Sequence, residues 1–102
     1  MSNLRRQKLM VKGYDKFLTL CYTEKSKAGL KALLDFFLTF DEREVVATRI
    51  LLVEELLKGK KTQREIAAKL GISIAKITRG SNMLKQLNDK VKQELIEKIV
   101  GR

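Results

Sequence analysis

The stretch TQREIAAKLGISIAKI, residues 62–77, constrains the fold more tightly than any other part of the chain. Thr62 and Glu65 form a T-x-x-E capping box: the hydroxyl accepts from the amide three residues on, and the carboxylate reaches back to the threonine amide. Ile66, Ala67 and Leu70 follow at helical spacing and face inward. Gly71 stands where that helix has to stop. Ser73 is a second N-cap, opening a helix that Ile74 and Ile77 anchor. Two helices joined by so short a turn must cross, and the small Ala67 side chain lets them cross closely. Residues 62–85 therefore read as a helix-turn-helix, with Ile72 plugging the core beneath the turn.

The rest of the chain passes the same periodicity test. It contains no Pro and lacks the turn-rich, alternating texture of a β fold, so an all-α fold of six helices is expected. Residues 1–8 are polar and basic and read as frayed. From 9 to 21, apolar residues recur at 10, 14, 17, 18 and 21. Residues 28–38 form a second helix, apolar on much of its circumference, which calls for burial on more than one side, as at a subunit interface. A third opens at residues 39–42 and runs to about Lys58, with Gly59 as its stop. Asn88-Asp89 opens the sixth, amphipathic through Val91, Leu95, Ile96 and Ile99. No repeat is visible, and 102 residues make a single domain over 1–102.

Charge points to a partner. The net charge is +10 and the pI about 10.0, the balance of a protein that meets a polyanion. Between residues 56 and 86 lie eight basic residues (Lys58, Lys60, Lys61, Arg64, Lys69, Lys76, Arg79, Lys85) against one acid, Glu65, which is +7 of the total. On the second helix of the motif, Ile74, Ala75, Lys76 and Thr78 lie in or near the first turn, in reach of base edges: the first two for thymine methyls, Lys76 for guanine. Ser73 caps that turn, where backbone amides face phosphate. Gln63 and Arg64 open the helix that crosses the DNA backbone; Arg64, Arg79 and Lys85 are candidate phosphate contacts.

Other functions are excluded by what the chain lacks. There is no His, which removes His-based acid–base chemistry and most metal sites. The single Cys21 allows no internal disulfide and reads as a small buried residue. No paired carboxylates converge on a pocket, so no enzyme is expected. The longest apolar stretch, residues 32–40, is short and broken by Asp35 and Thr39, so neither a signal peptide nor a membrane span is expected and the chain reads as cytoplasmic.

One segment fits poorly. In ITRGSN, residues 77–82, Gly80 falls where a helix should continue, and a helical Gly costs roughly 1 kcal/mol against Ala. Taken with its neighbours the segment becomes intelligible: DEREVVATRILLVEELLKG, TQREIAAKLG and SIAKITRGSNMLK, in this order over about residues 36–86, resemble the tryptophan repressor family. That resemblance implies six helices per chain, intertwined into a homodimer by the first three and the last. It implies a protruding helix-turn-helix that binds a palindromic double-stranded DNA operator, with L-tryptophan as corepressor between it and the dimer core. No other cofactor is implied. The helix would run through Gly80, which admits the ligand. Arg79 would meet the ligand carboxylate and stack over the indole, Arg49 would stack on its other face, and Thr39 would give its hydroxyl to the carboxylate. Carbonyls near Phe36 and Leu38 of the partner subunit would accept the amino group. Met83 stands where the family has Ser beside that amino group, which reshapes amine recognition. Ile72-Ser73 makes the turn closer to a standard helix-turn-helix than the family's glycine-rich one. The resemblance thus implies a tryptophan-dependent repressor of tryptophan biosynthesis or uptake genes. A ligand-independent regulator of the same fold is the alternative, and a basic helical adaptor for protein or membrane surfaces a more distant one.

Overall fold

Side-chain caps set where the helices begin. Ser26 accepts from Gly29 N at 2.9 Å, Ser73 from Lys76 N at 3.2 Å and Asn88 from Val91 N at 2.9 Å. The computed structural model describes residues 3–101. These form α1 (Asn3–Thr23), α2 (Lys27–Phe37), α3 (Phe40–Lys58), α4 (Gln63–Leu70), α5 (Ile74–Lys85) and α6 (Asp89–Leu95), with no strand among the described residues. The fold is all-α, as the periodicity requires. α6 runs on into a π-helical turn, Ile96–Val100, closed by Gly101 N donating to Ile96 O at 3.0 Å. Gly59 and Gly71 both sit at φ 66°, the left-handed conformation that ends α3 and α4.

The amino terminus differs from the expectation. α1 is already helical at Asn3, so residues 3–8 are not frayed, while Met1 and Ser2 lie outside the described residues. Leu, Arg, Gln and Lys are all strong helix formers, and a polar sequence of such residues extends a helix as readily as it ends one.

Contacts group the chain into two units, one ending at Asp41 and one beginning at Glu42. In the first, the ring of Phe17 on α1 meets that of Phe37 on α2 edge-on at 5.7 Å, and Phe37 meets Phe36 at 5.0 Å. No residue of α1 or α2 is buried, and Phe36 remains 80% exposed. The burial expected for α2 is therefore not supplied within one chain. Cys21 is half-buried with a free thiol, rather than enclosed.

In the second unit, Leu52 of α3, Ile66 of α4 and Ile77 of α5 form the core, with Leu56, Ala67, Leu70 and Ile72 packed around them. The inward placement expected for Ile66, Ala67, Leu70 and Ile72 is observed. Ile74 departs from it, being 43% exposed. The buried face of α5 runs through Ile77, Gly80 and Leu84, and Ile74 lies about 90° round the helix from the centre of that face. Ile77 alone anchors the start of α5.

Candidate functional site

The pair α4 and α5 is held from its sequence upward. Thr62 N donates to Glu65 Oε1 at 3.0 Å and Glu65 N to Thr62 Oγ1 at 3.1 Å, the full capping box. The Thr62 amide, then its hydroxyl, hold the Glu65 carboxyl below its ordinary value. At the other end of α4, Gly71 N and Ile72 N both donate to Ala67 O, at 2.9 and 3.2 Å, and the chain turns within three residues into the Ser73 cap.

A second fastening is invisible in local sequence. Glu55 of α3 is 2% exposed, yet charged. Its Oε1 receives Lys69 Nζ of α4 at 2.8 Å, and its Oε2 meets Lys61 Nζ at 3.2 Å as an ion pair without hydrogen-bond geometry. Lys69, then Lys61, lower the Glu55 pKa, against burial that raises it; Glu55 in turn raises that of Lys69. This ties α4 and the α3–α4 turn to the same face of α3.

These contacts revise the charge expectation. Lys61 and Lys69 are paired to Glu55, and Lys58 lies 3.5 Å from Glu54. Both acids lie just before residue 56, so part of the +7 carried by residues 56–86 is neutralised on the spot. Gln63, Arg64, Ser73, Ile74, Ala75, Lys76, Thr78, Arg79 and Lys85 are all exposed. Thr78 Oγ1 donates to Ile74 O at 3.1 Å, which leaves the hydroxyl oxygen as an outward acceptor.

Beside this pair is a groove of about 330 Å³. α3 contributes Val46, Arg49, Ile50 and Val53, and α5 contributes Gly80, Met83 and Leu84. Leu87, Leu95 and Ile99 complete the wall. Arg49 is its one charged lining residue. Of the residues implied for the ligand, Arg49, Gly80 and Met83 come together here. Arg79 is the exposed residue next to Gly80 and is not part of the wall. Thr39, directly before α3, and Phe36 and Leu38 at the end of α2 belong to the first unit. The apolar wall from α6 was not read from sequence as part of a site, although its 95/99 spacing marks one helix face.

Gly80 has a reason of its own. It is buried and helical, and a Cβ built there would lie 2.8 Å from Leu52 Cδ2 and 3.4 Å from Leu52 Cγ. The helix runs on through Gly80, as expected, but the space of the missing methyl is occupied by α3. Gly80 lines the groove as well, so admitting a ligand is not needed to explain it.

Residues 12–99 match the family model described as Trp repressor protein. The chain is 48% identical over 87 residues to a Trp operon repressor homolog of Chlamydia trachomatis serovar D, covering 85% of this chain and 93% of the relative. It is 49% identical over 83 residues to one of Chlamydia caviae, covering 81% and 82%. A third relative of the same name, from Vibrio vulnificus strain YJ016, is 48% identical over 69 residues, 68% of each chain.

Proposed function

Since the chain belongs to the Trp repressor protein family, a family of DNA-binding transcriptional repressors, we propose that it is a cytoplasmic, homodimeric repressor of tryptophan biosynthesis or uptake genes, with L-tryptophan as its corepressor. The observation that carries this reading is the groove between α3 and α5. Its volume and nearly all-apolar wall suit one indole ring, Arg49, which contributes to that wall, carries a planar cation able to stack and to attract a carboxylate, and one wall is the inner face of α5. A ligand in that groove touches the helix whose exposed first turn carries Ile74, Ala75 and Lys76. It favours the operator-binding arrangement by binding it more tightly than the other arrangements. α4 and α5 act as the helix-turn-helix, with Gln63 and Arg64 against the DNA backbone.

Dimerisation has support of its own. Leu52, Ile66, Ile77 and Leu84 are the buried apolar side chains among the described residues, all from α3 to α5. The apolar faces of α1 and α2 need a further surface to cover them, and a second copy of the chain supplies it, making 1–102 one domain of an intertwined dimer.

A ligand-independent regulator of the same fold is the second reading. It draws on a motif capped at both helices and pinned by Glu55. Calorimetric titration with L-tryptophan, indole-3-propionate and tryptamine, followed by operator binding with and without each ligand, separates the two. Saturable L-tryptophan binding that tightens operator binding supports the corepressor reading; operator binding indifferent to all three supports the second.

A further inference from the structure

α1 carries a charge feature that the helix-turn-helix does not account for. Lys8, Lys12 and Lys16 follow at spacings of four, with Arg5 three residues before the first, so all four fall on one side of the helix. Lys8, Lys12 and Lys16 are exposed. The stripe is about 16 Å long at 1.5 Å per residue. Asp15, on its flank, is the one acid in residues 3–16. The opposite side of α1 holds Met10, Tyr14 and Phe17, and Phe17 is packed on Phe37 of α2. The reading of residues 1–8 as frayed hides this pattern, because a stripe exists only where the helix does.

We propose that the basic face of α1 is a second phosphate-binding surface for duplex DNA, separate from the helix-turn-helix and indifferent to sequence. Lysine ammoniums on four-carbon stems contact phosphates as point charges and carry no base information. Duplex DNA offers about one charge per 1.7 Å of axis, so a stripe of this length always finds phosphates opposite it. A membrane surface is disfavoured by the other side of the helix. An amphipathic helix binds lipid by burying its apolar face, and on that side of α1 Phe17 is already packed on Phe37 of α2, leaving Met10 and Tyr14 exposed. The surface stands whether or not L-tryptophan is the corepressor.

The test compares the parent protein with Lys8→Gln/Lys12→Gln/Lys16→Gln and with Arg64→Gln/Lys76→Gln/Lys85→Gln. Binding to a 60-base-pair duplex of random sequence is followed by fluorescence anisotropy across a salt series, and sequence preference by binding-site selection. Gln keeps helix propensity near that of Lys, and circular dichroism melts verify the fold. The α1 variant should show a log–log salt slope shallower by roughly 3 for each chain engaged, with sequence preference unchanged. The helix-turn-helix variant should lose operator preference yet keep salt-sensitive binding to the random duplex. Lys12→Gln alone should lower the slope by about 1, which keeps the test available if the triple variant folds poorly. An α1 variant with the parent's slope overturns the proposal. So does an unchanged slope accompanied by lost co-sedimentation with phosphatidylserine vesicles, which assigns the stripe to a membrane. A parent that binds random duplex through α1 but prefers no operator counts against the proposed function and not against this surface.

Discussion

Replacing Gly80 by Ala tests the packing of α5 on α3. Host–guest propensity alone makes the change stabilising by up to about 1 kcal/mol. The structure reverses the sign. The new Cβ would lie 2.8 Å from Leu52 Cδ2 and 3.6 Å from Leu56 Cδ1. Carbon–carbon contacts are optimal at about 3.5–4.0 Å, so roughly 0.7 Å or more must be found. Leu52 is 6% exposed and packs on Ile66 and Ile77, so the tip of its side chain has no empty space to enter. Overpacking of this kind costs about 1–3 kcal/mol, for a net loss near 1 kcal/mol. Guanidinium unfolding followed by circular dichroism, at one fixed chain concentration, measures it. The decisive comparison is the same change in a Leu52→Ala background. That background alone costs about 2–5 kcal/mol, but it removes the obstructing carbons, so Gly80→Ala should there become stabilising by up to about 1 kcal/mol. A Gly80→Ala protein that is more stable than its parent in both backgrounds would refute the reasoning.

Sedimentation should find a dimer and no folded monomer at micromolar concentration, because no residue of α1 or α2 is fully buried within one chain. Glu55 has a lowered pKa, so its stabilisation is complete above its ordinary value of 4.5 and is lost as pH falls through the lower folded value. Thermal melts should accordingly drop below about pH 4.5 in the parent, and Glu55→Gln should melt lower at pH 7 with a flatter acid limb. Arg64→Ala and Lys85→Ala should weaken binding to all duplexes alike, whereas Ile74, Ala75 or Lys76 changes should alter which base pairs are preferred in a binding-site selection. A uniform loss from Lys76→Ala would reduce that residue to a phosphate contact.

What the sequence makes legible here is what is local. Thr62, Ser73, Gly59 and Gly71 each act within four residues, so their chemistry can be read one helix end at a time. Ile66 and Ile77 follow from period. Glu55 does not: its partner Lys69 is 14 residues on, and only the crossing of α3 and α4 brings them together. Gly80 shows the same limit, since what fills its missing methyl is Leu52, 28 positions earlier. Ile74 is apolar and correctly spaced from Ile77, but one helical face has edges as well as a centre. The 5, 8, 12, 16 stripe is in the sequence, and recognising it depends on knowing that the helix extends to Asn3.

The buried cluster of Leu52, Ile66 and Ile77 also has a kinetic meaning. Its members are separated by 14 and 11 residues, and loops of about that length close in roughly 10–100 ns. α3, α4 and α5 can therefore collapse on one another while the chain is still solitary. The apolar faces of α1 and α2 have no such early partner and must wait for an encounter. Refolding of this protein should then show a fast phase independent of concentration, followed by a slower one whose rate rises with chain concentration, and substitutions at Ile66 or Ile77 should act on the first.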